Sequence, residues 1–269
     1  MSGFSWPEIF VLLGLSLVGG IAILPYSFGL AGNRLSQAKL PQPVLALISL
    51  LQTALLMALA VGVGLLAARP VGLGAPFIQA ALAGEFRWDQ LLRVLPISLG
   101  LALLSFVLMA LFERYVFASH VPEVLQTSDV NLQAWKRFLA AFYGGFDEEI
   151  LTRLFLVSGL VWLLGLIWHG TGGLPAGGAF WTAILLAAVL FGLGHLPATR
   201  SLTPLTSMII LRAVVLNGIA GIAFGWLYWR YGLEAAMFAH FCADILLHLI
   251  GPRFTNRLYH RTNRSTLAS

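Results

Sequence analysis

Long apolar runs recur along this chain, and they leave few folds open. A membrane-spanning helix needs about 20 mostly apolar residues. About seven stretches approach that length: Ile9–Leu30, Val44–Ala67, Val94–Phe112, Ile150–Trp168, Phe180–Leu196, Met208–Trp229 and Gly232–Ile250. The last four are interrupted by polar residues more often than the first three. The two-residue alternation of barrel strands is absent. With 59% hydrophobic and only 10% charged residues, the expected fold is all-α. We read a polytopic transmembrane helical bundle of about seven spans, within a range of six to eight.

No Lys or Arg precedes the first run, and Glu8 sits at its start. A cleaved leader has a basic start and a shorter apolar core, so this run reads as a retained helix. Cys242 is the only cysteine, which excludes an internal disulfide. The net charge is +5, and Arg253, Arg257, Arg261 and Arg264 follow the last apolar run. On a membrane protein such a cluster marks a cytoplasmic tail, here 251–269, and not a nucleic-acid site. With seven spans the N-terminus then lies outside. Inner loops hold Arg34, Lys39, Arg114, Lys136, Arg137 and Arg200, with Arg212 close by; outer loops hold Arg69, Arg87, Arg93 and Arg230. The expected location is the plasma (inner) membrane.

The chain reads as one domain, 1–269, without internal repeats. The segment Arg69–Arg93 is too short to span and is expected at the surface. "NLQAWKRFLAAFY" places Leu132, Trp135, Phe138, Leu139 and Phe142 on one helical face, an amphipathic helix leading into the fourth span. Gly144-Gly145 then permits a break.

The fourth span opens with "DEEILTR". Asp147 reads as a helix cap, with the acids near the positive end of the helix dipole. That explains the acids but not Arg153 inside an apolar run. Glu149 and Arg153 are four apart, so they share a face and can pair. Glu148 lies about 100° round the helix and is left available. His195 ends the fifth run, with Phe191 four residues earlier. His240 and Asp244 sit four apart in the seventh, extended by His248. Ionisable groups inside membrane helices are costly and usually face a functional interior. Glu113-Arg114 reads as an interfacial pair, and Cys242 as a packing residue.

The topology places Glu148, His195, His240 and Asp244 in one inner layer, a constellation suited to activating water. A non-catalytic membrane protein, in an immunity or scaffold role, stays open on the residues alone. A proton-coupled transporter does too, although it usually shows internal repeats.

In order, "EEILTR" fits EExxxR, "FGLGH" fits FxxxH and "HFCAD" fits Hxxx(N/D). From about Gly144 to His248 the chain resembles the CPBP family, the CAAX proteases and bacteriocin-processing (Abi) proteins, with 144–250 as the catalytic core. The resemblance implies an intramembrane endopeptidase whose cavity opens to the cytosol. Glu148 with His195 would activate the attacking water. Glu149 and Arg153 fill the other charged positions of the first motif. His240 and Asp244 would steady the oxyanion. Two departures stand out. Asp244 occupies a position where many members have Asn, and an ionised carboxylate cannot donate to an oxyanion. "TRL" replaces the common "FRG".

The partners implied are membrane lipids and a peptide or protein substrate, lipidated or not, and no nucleic acid. Glu148, His195, His240 and Asp244 are also the residues that zinc would use, but the HExxH pair is absent. A metal-free, cofactor-free mechanism is therefore preferred, with zinc as the alternative.

Overall fold

A computed structural model describes residues 5–32, 38–122, 124–127 and 132–251. Arg34 and the tail arginines lie outside these residues. The helices are α1 (Trp6–Ala31), α2 (Gln42–Ala68), α3 (Pro76–Leu82), α4 (Trp88–Phe112), α5 (Val124–Thr127) and α6 (Ala134–Tyr143). They continue with α7 (Ser158–Gly165), α8 (Gly177–Gly194), α9 (Leu196–Leu202), α10 (Ser207–Tyr231) and α11 (Leu233–Ile245). Proline stands in the first turn of α1, α2, α3 and α9, where its missing N–H removes no helical bond. Gly232, with φ of 96°, turns the chain from α10 into α11. Among the described residues, extended pairing is limited to one isolated bridge, His169 to Pro175.

Among the described residues, six helical stretches are long and apolar enough to cross a membrane: Trp6–Ala31, Gln42–Val71, Trp88–Phe117, Gly177–Leu202, Ser207–Tyr231 and Leu233–Ile250. The remaining expected span, Ile150–Trp168, belongs to a helical stretch over 134–165. There α6 and α7 are joined by π-helical turns at Gly144–Glu148 and Ile150–Val157. Its charged residues and altered winding set it apart from the six.

Successive spans alternate in direction and define two ends. At the upper end Arg69 pairs with Glu8 at 3.0 Å, and the Leu233 N–H donates to the Gly74 carbonyl at 3.0 Å. At the lower end Arg137 donates to the His248 carbonyl at 2.6 Å. Leu47, Leu51, Leu55, Leu59 and Val63 form an exposed apolar stripe along α2, a surface suited to lipid contact. The interior gathers Leu12, Val61, Ile150, Leu154, Val161, Ile184, Phe224 and Leu227. With no hydrophobic effect between lipid-borne helices, close packing of small residues matters. On α10, a Cβ at Gly225 would come within 2.7 Å of Ile184, and one at Gly221 within 2.9 Å of Ala188.

Three expectations need correction. The segment after Arg69 lies at the surface only in part: Val71, Leu73, Ala75, Phe77 and Ala80 are buried, while residues 81–90 are exposed. Its α3 is tied down where the Ile78 N–H donates to Glu234 (2.7 Å) and Gln79 donates to Glu8 (2.8 Å). Glu113 pairs with Arg212 of α10 at 2.8 Å and not with Arg114, whose guanidinium lies 5.6 Å from the Tyr115 ring. Gly144-Gly145 does not break the helix. A Cβ at Gly144 would overlap the Asp244 carboxylate, and one at Gly145 would approach Met237 and Phe241 at 3.2 Å. These glycines let α11 approach, and the helix runs on.

Candidate active site

Because the helix continues through the glycine pair, Glu148 is not at a helix start. It lies 14 residues beyond Ala134, or about 21 Å along the axis at 1.5 Å per residue. Asp147 is likewise no cap. It is fully buried in mid-helix and accepts a hydrogen bond from Ser16 of α1 at 2.7 Å. A Cβ at Gly19 would overlap its second oxygen, so α1 is shaped to receive this carboxyl group.

The π-helical winding around Glu148 and Glu149 shifts amide bonds from i−4 to i−5, a geometry common at functional sites. Hydroxyls take carbonyls along it: Thr152 donates to the Glu148 carbonyl (2.5 Å) and Ser158 to that of Arg153 (3.3 Å). Such back-bonding bends and loosens ordinary helices; here it helps satisfy an unusual one.

Glu149 is enclosed. Its Oε2 lies 3.1 Å from Arg153 Nε, close enough for strong charge attraction although not aligned as a hydrogen bond. Its Oε1 lies 2.6 Å from His240 Nδ1. Arg153 is 1% exposed, bonds Thr152, and sits over the rings of Phe191 (5.4 Å) and Phe224 (5.7 Å). The same rings bracket His240, with centroids 6.0 and 5.1 Å away.

With Nδ1 against Glu149, the Nε2 of His240 faces Glu148 at 3.6 Å and Asp244 at 3.7 Å. These separations exceed a direct hydrogen bond and suit a bridging group or water. Glu148 is the most open of the three carboxylates here, with its side chain 24% exposed against 0% for Glu149 and 16% for Asp244. His195 packs edge-on against Phe191 at 4.7 Å, and its Nδ1 lies 2.8 Å from the Phe191 carbonyl. A carbonyl only accepts, so Nδ1 carries the proton and Nε2 is left as an acceptor. In both histidines one nitrogen is fixed by the protein and the other is left to the site.

The structure thus brings Glu148, Glu149, Arg153, His240 and Asp244 into one contiguous cluster and sets His195 beside it through Phe191. Among the described residues, no group of three or more His, Cys, Asp or Glu side chains is placed to hold a metal ion. As arranged, these donors do not make up a zinc site. Sequence reasoning missed Ser16, Phe224 and the buried role of Asp147. A serine in an apolar helix carries no signal of its own, and Phe224 lies in a run read only as a span.

Residues 130–246, less than half of the chain, match the family described as type II CAAX prenyl endopeptidase Rce1-like. The match is consistent with the CPBP family and includes all six charged motif residues. It fits an integral, multi-pass membrane protein of the CAAX protease kind. No curated protein and no solved structure gives a match.

Proposed function

We propose that this chain, Rce1-like over residues 130–246, is an intramembrane endopeptidase that hydrolyses a peptide bond with water activated by Glu148 and His195. The observation that carries the proposal is the division of labour between adjacent glutamates. Glu149 is locked between Arg153 and His240, while Glu148 stays partly open 3.6 Å from His240 Nε2.

In this mechanism Glu148 takes a proton as water oxygen attacks the substrate carbonyl carbon, with His195 Nε2 holding the water as acceptor. His240, held as the imidazolium among the three carboxylates with Nδ1–H bonded to Glu149, donates from Nε2 to the carbonyl oxygen as it gains negative charge. Asp244, 3.7 Å from the same nitrogen, orients His240 and does not itself donate to the oxyanion. Collapse of the tetrahedral intermediate breaks the C–N bond, and the proton held by Glu148 passes to the leaving amine. The lower end, where α6 begins, is the cytosolic face in this reading, with the C-terminus on that side and the plasma membrane as the setting.

The test uses purified full-length protein and a peptide library with free and prenylated C-termini. Wild type cleaves at least one class; Glu148→Gln abolishes cleavage, and His195→Ala lowers it by about 100-fold. Unchanged cleavage in both variants would sink the mechanism. Absence of wild-type cleavage would favour a non-catalytic relative of the fold.

A further inference from the structure

Four arginines gather at the upper end, opposite to the end where the proposed chemistry opens. Arg69 is engaged by Glu8. Arg87, Arg93 and Arg230 instead line one cavity of about 460 Å³, within the range of small-molecule sites. No acidic residue lines it; Gln90, Trp229 and Tyr231 do. Arg93 also meets Asp89 at 3.5 Å, but both side chains are well exposed, so that pair holds it only weakly. The Arg230 guanidinium lies 5.9 Å from the Trp229 ring.

The frame around the cavity is fixed. The loop before α3 is tied to the start of α11 by the Leu233 to Gly74 bond, and α3 by the Ile78 to Glu234 bond. Three arginines lining one cavity, with the exposed Asp89 as the one acid beside them, supply the donor set that phosphate oxygens fit. Trp and Tyr at a span end sit at headgroup level and offer an apolar wall beside the charge.

We propose that this upper cavity binds a phosphate-bearing anion, its charge held by Arg87, Arg93 and Arg230 and its apolar portion resting on Trp229 and Tyr231. A phospholipid headgroup and a soluble phosphate ester share this chemistry, and two arms of one experiment separate them. In the first arm, the full chain is reconstituted with phosphatidylglycerol or phosphatidylcholine, and native mass spectrometry counts the retained lipid. In the second, glycerol phosphate is titrated against the detergent-solubilised chain while its melting temperature is followed.

Wild type is expected to retain phosphatidylglycerol over phosphatidylcholine. Arg87→Gln/Arg93→Gln/Arg230→Gln should weaken this by about tenfold or more, and Arg230→Gln alone by a smaller factor. Glu148→Gln, and Arg114→Gln/Arg200→Gln at the lower end, should retain lipid as wild type does. Stabilisation by glycerol phosphate that is lost in the triple variant would assign the site to a soluble ester. Equal retention by wild type and the triple variant, equal loss in the lower-end variant, or no binding in either arm would overturn the proposal.

Discussion

Replacing Glu149 with Gln removes one negative charge with little change of shape. The carboxylate lies 3.1 Å from Arg153 Nε and 2.6 Å from His240 Nδ1. The amide oxygen of glutamine can still accept from His240, so the loss falls on Arg153. That guanidinium is 1% exposed and keeps only Thr152 and the faces of Phe191 and Phe224. The aromatic contacts exist in both forms and offset nothing new. Removing one member of a buried ion pair costs about 3–5 kcal/mol. Glu148 is near but partly hydrated, which places the cost near the lower bound, at roughly 3 kcal/mol. For a chain of this size 1 kcal/mol shifts the melting temperature by about 2–4 °C, so a fall of roughly 6–12 °C is expected. Thermal unfolding in detergent, followed by tryptophan fluorescence, measures it. Glu149→Gln/Arg153→Met removes the stranded charge as well and should recover at least half of the loss. The reasoning fails if Glu149→Gln melts within about 1 °C of wild type, or if the double variant is no more stable than the single one.

Ser16→Ala should cost about 1–3 kcal/mol in the same unfolding assay, because it takes the Ser16 hydroxyl from a carboxyl group whose other oxygen already lacks a partner among the described residues; unchanged stability would show that Asp147 is satisfied elsewhere. Gly144→Ala puts a methyl group onto the Asp244 carboxylate and 3.1 Å from His240 Nε2. It should lower kcat by roughly 10- to 100-fold with little change in KM, and full activity in peptide cleavage would contradict the arrangement of α6 and α11. A strong chelator should leave wild-type cleavage intact, since the described donors are not gathered for a metal; loss of activity restored by zinc would refute the metal-free route.

The helical class and most of the spans were legible because hydropathy records how much backbone a membrane can hide. The Glu149–Arg153 and His240–Asp244 spacings were legible too, since a four-residue interval fixes a shared helical face. What could not be read was how helices meet. The glycine pair at 144–145 looked like a hinge, and only the approach of α11 shows that it is a contact surface. The same error moved Asp147 from the interior to a helix start and put Glu148 near the membrane edge. Local sequence cannot distinguish a glycine that permits a turn from one that admits a neighbour. The arginines at the upper end entered the sequence reading only as loop charge. Their sharing of one cavity depends on α3, α4 and α10 meeting at one end, which no single segment encodes.

The continuous helix beneath Glu148 makes the proposed enzyme a ruler. About 21 Å separates the level where α6 begins from the reactive carboxylate. An extended peptide covers about 3.3–3.6 Å per residue, so a substrate entering along α6 from the lower end would need about six residues to bring a carbonyl to Glu148. A folded terminus cannot enter so deeply while its backbone remains paired. Selection would then act first on length and looseness at the end of a substrate, before any side chain is recognised.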